Sequence, residues 1–143
     1  MIVVDANLLL YAYSAPSPKQ EKARAWLEAT ISGEDIVGLP WQVISAFLRI
    51  ASNPKLPQLR RPAEEVARIV DAWLQQPNVR TLAPGDDHWS IFRRLIVEGQ
   101  ASGDLVSDAQ VAALTIEYGG VLYTTDRDFA RFPGLRWVNP LTA

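Results

Sequence analysis

At 143 residues the chain has the length of one domain, and 48% hydrophobic with 21% charged residues is the balance of a globular protein with a core to bury. It has no cysteine and one histidine, His88, which excludes disulfides, zinc–thiolate sites, thiol catalysis and multi-histidine metal centres. A formal net charge of −2 excludes a broad basic footprint for nucleic acid, and no stretch approaches the ~20 apolar residues of a membrane span.

Any metal must therefore be held by oxygen, the preference of Mg2+ and Mn2+. The N-terminus lacks the basic region of a signal peptide, so a cytoplasmic protein of one domain, residues 1–143, is expected. Cations are mostly arginine, with lysine only at Lys19, Lys22 and Lys55.

Ile2-Val3-Val4 reads as a strand ending at Asp5, and Asn7 to Tyr13 as a helical segment that Pro16 and Pro18 break. From Gln20 to Ile31, Ala23, Trp26, Leu27 and Ile31 recur at helical spacing. Asp35 to Leu39 is a second strand stopped by Pro40. Trp41 to Ala51 is a helix with Ile44, Phe47, Leu48 and Ala51 on one face. Pro62 opens a helix through Trp73, striped by Val66, Ile69, Val70 and Trp73.

Val79 to Leu82 is a third strand. Asp86 or Asp87 caps a helix to about Glu98 with Trp89, Phe92, Leu95 and Ile96 inward. A helix from about Leu105 to Tyr118 ends at Gly119-Gly120, before a fourth strand, Val121 to Thr125, and a fifth, Leu135 to Val138. Strands separated by helices predict a parallel sheet covered on both faces, with ligands beyond the carboxyl ends of the strands.

Asp5 and Asp126 each follow a strand directly, and Asp108 lies in the first turns of the helix leading into the fourth, so topology can gather all three. Each also has a local reading. Asp5 and Asp126 can cap the turns that follow them, and Asp108 can complement a helix dipole. Together, like charges ~4 Å apart cost about 4 kcal/mol at an effective dielectric of 20, and a divalent cation reverses that sign. Asp104 is an alternative cap, with Ser107, or an added metal ligand, and Asp128 reads as a local turn acid. His88 suits a surface or helix-start position, Arg60-Arg61 and Arg93-Arg94 read as solvated ends and faces, and the five tryptophans as core.

The ordered set Ile2-Val3-Val4-Asp5-Ala6-Asn7, Ser107-Asp108-Ala109, Thr124-Thr125-Asp126-Arg127-Asp128-Phe129 and Val138-Asn139-Pro140 resembles the PIN-domain family, in particular VapC-type toxins. The resemblance implies a three-layer α/β/α sandwich around a mainly parallel five-stranded sheet, and a Mg2+- or Mn2+-dependent endoribonuclease. Asp5, Asp108 and Asp126 would be the catalytic metal ligands, with Asn7 orienting the first acid and the Thr125 hydroxyl facing the site. Further implications are a VapB-type antitoxin partner, contact with operator DNA only through it, and a homodimer.

One position departs from that pattern. Ala46, three residues before Arg49, stands where the family carries a glutamate, and no acid occurs between Asp35 and Glu64. The stretch Ala46 to Pro54, with Phe129 to Trp137, resembles an actinobacterial VapC branch that shares the substitution. Asp104, or Ser45 through water, is the expected substitute. The competing expectation is a PIN-fold module that binds RNA or protein with weakened turnover. Phosphotransfer folds fit poorly, since Asn7 replaces the second aspartate that a phosphatase needs and no lysine follows Lys55.

Overall fold

A computed structural model describes residues 1–55 and 60–142. Five strands, β1 (Ile2–Val4), β2 (Val37–Pro40), β3 (Val79–Leu82), β4 (Val121–Tyr123) and β5 (Trp137–Val138), form one sheet in the order β3-β2-β1-β4-β5. Every adjacent pair is parallel, with Val3 opposite Gly38 on one side and Leu122 on the other. The helices are α1 (Ala6–Ala12), α2 (Pro18–Ile31), α3 (Trp41–Ala51), α4 (Ala63–Leu74), α5 (His88–Glu98) and α6 (Leu105–Glu117), and a 3₁₀ turn spans Arg127–Arg131.

The strand order explains the layers. The chain steps outward from β1 through β2 to β3, then crosses back to β4 on the far side of β1. Right-handed crossovers in opposite directions lie on opposite faces, so α1 to α4 cover one face and α5 and α6 the other. The expected α/β/α sandwich is present, and its sheet is wholly parallel.

Several boundaries differ for identifiable reasons. The helix after β1 ends before Pro16, and α2 starts at Pro18, two residues before the expected Gln20: the missing N–H costs nothing at the first position, and the Ser17 hydroxyl accepts from the Gln20 N–H at 3.0 Å. Pro40 is the last residue of β2, where the ladder no longer needs its N–H. Asp87 and Asp104 hold the N-cap positions of α5 and α6, yet neither side chain makes a capping bond. Their backbones, at ψ 2° and −23°, are not extended as a reaching cap requires.

After α6, Gly119 takes φ +68°, and a Cβ on Gly120 would meet Val3 Cγ2 at 2.9 Å and the Met1 carbonyl at 3.1 Å. Only glycine lets β4 come in so close beside β1.

The tryptophans correct the expectation that all are core. Trp73 is buried, Trp26 stacks half-buried on Tyr123 at 5.5 Å, and Trp137 is half-buried. Trp41 is 49% exposed and Trp89 63% exposed. On α5 the inward stripe runs through His88, Phe92 and Leu95, which turns Trp89 toward water with only an edge contact to Phe92. No helix among the described residues is long and apolar enough to cross a membrane.

Under the β1–β3 half, fully buried Phe47 lies 4.7 Å from Trp73 and 5.7 Å from Tyr13, ring centre to ring centre, joining α1, α3 and α4. Phe47→Ala is therefore expected to lower the unfolding free energy by about 3–5 kcal/mol in a urea titration. A loss under about 1 kcal/mol would show that neighbours collapse into the space.

Candidate metal centre

The strand order reverses between β1 and β4, and an open parallel sheet leaves a crevice at the carboxyl ends there. Asp5 leaves β1 at that crevice, with its N–H still bonded to the Tyr123 carbonyl at 3.0 Å. Its Oδ1 accepts from the Ala6 N–H at 2.8 Å, so it does cap α1. Its Oδ2 accepts from the Thr124 hydroxyl at 2.7 Å. That hydroxyl, fully buried, also accepts from the Asp126 N–H at 3.0 Å and from Asn7 Nδ2 at 3.3 Å.

Asp126 caps the 3₁₀ turn, its Oδ1 accepting from the Asp128 N–H at 2.9 Å. Carboxylate oxygens of Asp108, Asp126 and Asp128 lie within 4.8 Å of one another. Asp5 is outside that trio but within its field. Burial, then the Asp126 charge, push its carboxyl above the usual range against the hydrogen bonds from Thr124 and Ala6 that lower it. Asp108 is pushed up to about 6, by burial first and then by the charges of Asp126, Asp5, Asp128 and Asp104. Four other carboxylates thus focus on one.

The local readings of Asp5 and Asp126 hold and do not compete with convergence: each side chain caps its own turn while the topology brings the acids to one edge. Asp104 lies outside the trio, exposed, and acts on Asp108 as the weakest of the four charges. Asp128, expected to serve only its turn, faces the other acids instead.

The hydroxyl that faces the site belongs to Thr124, not Thr125. Period-2 alternation beyond β4 was the signal for it, because residues 124 and 126 share a side. Around Ala46 a shallow groove is lined by Gln42, Ser45, Arg49 and Ser107, with no carboxylate among the described lining residues. Gln42 Nε2 donates to the Ser107 carbonyl at 3.0 Å and lies 3.2 Å from its hydroxyl, tying α3 to the turn that carries Asp108.

His88 does start a helix but is buried, not at the surface, with Nδ1 3.3 Å from Glu117 Oε2 and Nε2 3.2 Å from Gln110 Nε2. It binds α5 to α6. Arg61 pairs with Glu65 and donates to the Tyr13 carbonyl, and Arg94 pairs with Glu98 and donates to the Pro133 carbonyl. Arg60 and Arg93 are exposed.

The donor set fits a hard divalent cation: carboxylate oxygens converge, no nitrogen or sulfur ligand intrudes, and Asn7 Oδ1 is buried without a partner among the described residues. A hydrated cation supplies water to such an acceptor.

Two consequences are measurable in metal-free protein. Asp108 has a raised pKa in the folded state, so its protonated form stabilises the fold fully below pH about 4, and that contribution is lost as pH rises through about 6. Asp108→Asn is expected to raise the thermal midpoint at pH 7 by about 2–4 °C, or about 1 kcal/mol, because a half-exposed carboxylate is partly screened. Equal midpoints for variant and parent would show that the charges are already relaxed. Thr124→Val removes the donor to Asp5 Oδ2, leaving only the Ala6 N–H, and should cost about 1–3 kcal/mol of unfolding free energy, whereas Thr124→Ser should cost less. Equal losses would assign the role of Thr124 to its methyl group.

A PIN-domain model matches residues 2–135. Ribonuclease VapC33 of Mycobacterium tuberculosis is 38% identical over 141 residues, spanning 99% of this chain and 99% of that protein. Ribonuclease VapC31 of the same organism is 34% identical over 140 residues, 98% of this chain and 99% of that one. Among solved structures, VapBC2 from Rickettsia felis bound to a DNA fragment from their promoter matches with a TM-score of 0.72 at 18% identity, covering 97% of this chain and 98% of that chain, which shows the shared fold. The family model spans nearly all of the sheet and every aspartate of the site, and on these matches the chain belongs to the PIN-domain family, in its VapC ribonuclease group.

Proposed function

We propose that the chain, acting as one PIN domain over residues 1–143, hydrolyses RNA phosphodiester bonds as the toxin of a toxin–antitoxin pair. Asp5, Asp108 and Asp126 are its metal-holding residues, Asp128 completes the acidic face, and Asp104 stands at the rim. The observation that carries this reading is the approach of three carboxylates to within 4.8 Å, with a fourth, Asp5, coupled to them. Such an arrangement is costly alone and favourable around a cation. The oxygen-only donors favour Mg2+ or Mn2+. RNA is the substrate class indicated by the names of VapC33 and VapC31.

A bound divalent cation supplies a more acidic water and offsets charge on the phosphate. The protein's part is to hold and orient. The Thr124 hydroxyl fixes the Asp5 carboxylate, and the Thr124–Asp126 contact sets where β4 delivers Asp126. Gln42 holds the first turn of α6, and so Asp108, against α3. No side chain need form a covalent intermediate, in keeping with the lack of cysteine.

The VapBC2 complex, bound to a promoter DNA fragment, supports a VapB-type antitoxin partner, and we place any contact with operator DNA on that partner. We further propose a homodimer acting in the cytoplasm. The acid cluster favours turnover over the competing reading of a module that only binds.

Chelation by EDTA should abolish cleavage of single-stranded RNA, and added Mn2+ or Mg2+ should restore it. Asp126→Asn should lower kcat by about a hundred-fold or more. Cleavage that persists in EDTA, or that the variant matches, would sink the metal mechanism.

A further inference from the structure

Beyond Tyr123, Thr124 and Asp126 turn toward the acids; Thr125 and Arg127, the latter opening the 3₁₀ turn, line a separate groove. Its far wall is Lys19 and Lys22, from the first turns of α2, with Asn139 and Thr142 from the segment after β5. Each of these six side chains can donate a hydrogen bond, and no carboxylate is among the lining residues.

The chain's charge is concentrated here against its own average. With a net charge of −2, the protein places two of its three lysines and one arginine around this one depression. Among the described residues, none of the three cations has an ion-pair partner. The Lys19 ammonium sits 3.8 Å over the Tyr11 ring, an arrangement that positions the charge without neutralising it. Cations gathered without counter-charges repel one another, and an anion in the groove reverses that.

The chemistry of the neighbouring site names the anion. A phosphodiester held at the aspartates has further phosphates one nucleotide to either side, and these would meet the field of four carboxylates. A strand can approach only if cations hold the adjoining phosphates. Thr125 and Arg127 flank Asp126 in the chain, so the groove begins within about 4 Å of backbone from the acid site.

We propose that this groove binds the backbone phosphate, or phosphates, adjacent to the one held at the aspartates, and so sets the direction in which single-stranded RNA crosses the site. The proposal rests on the reading of RNA as substrate.

The test is the salt dependence of binding. A labelled single-stranded RNA pool is titrated by fluorescence anisotropy in Mg2+, with Asp126→Asn as the background so that the strand stays whole. Lys19→Gln with Lys22→Gln is compared with a charge-matched control, Arg68→Gln with Arg80→Gln, whose cations lie outside the groove. Each phosphate contact to a single strand contributes about 0.7 to the slope of log K against log salt. The groove variant should therefore lose about 1.4 from the slope and bind about ten-fold more weakly at low salt, and the control should keep the background slope.

If the background protein binds RNA and the groove variant matches the control, the groove belongs to some other acidic partner and the proposal fails while the substrate reading stands. If the background protein binds no RNA at any salt and the parent cuts none, the substrate reading fails first and takes this proposal with it.

Discussion

The hydroxyl of Thr124 has one proton and two lone pairs, and the structure uses all three. The proton goes to Asp5, and the lone pairs accept from Asn7 and from the backbone of Asp126. Asp5 and Asn7 follow β1, and Asp126 follows β4, two strands separated by more than a hundred residues in sequence and adjacent in the sheet. One buried group thus fixes the relative register of the two acids that leave those strands. Glycine at 120 permits the strands to approach so closely, and the crossover from β3 to β4 places Asp108 at the same edge.

The site is electrostatically unfavourable by construction. Hydrogen bonds from Thr124 and the Ala6 N–H lower the proton affinity of Asp5, but burial and the Asp126 charge outweigh them. Among the described residues no hydrogen bond offsets the shift at Asp108, which burial and then four neighbouring carboxylates push up. A fold tolerates such a cluster because its stability is set elsewhere, in the packing of Phe47, Trp73 and the central strands. The core holds together what the acids would push apart. That separation leaves the charge available for a cation.

Most of the architecture is legible in the residues, because periodicity and strand ends report on burial, and burial dominates folding. The helix Trp41–Ala51 and the strand Val79–Leu82 are readable to the residue. Asp5, Asp108 and Asp126 are readable because each sits at an element boundary. What was not legible depends on side-chain direction over distance. Thr125 stands beside Asp126 in the chain, yet Thr124 makes the contacts. Trp89 has the right spacing for a core stripe, yet α5 is rotated so that His88 takes the buried place. His88 can go inward because Glu117 and Gln110, on α6, meet its two ring nitrogens, partners that no local pattern reveals.

The substitution at Ala46 is best understood through the count of charges around the site. Helix α3 brings no carboxylate to the edge, and the groove beside Ala46 carries Arg49 instead. Three aspartates still converge, with Asp5 close enough to feel their charge, because the 3₁₀ turn after β4 places Asp128 beside Asp108 and Asp126. The negative charge is thereby shifted from the α3 side of the crevice to the β4 side. The same turn presents Arg127 to the cationic groove, so the segment from Thr125 to Asp128 carries acids to one site and donors to the other as it enters the 3₁₀ turn. An acid site with one open flank and one cationic flank gives a polyanion different surroundings on its two sides, which a symmetric ring of carboxylates would not.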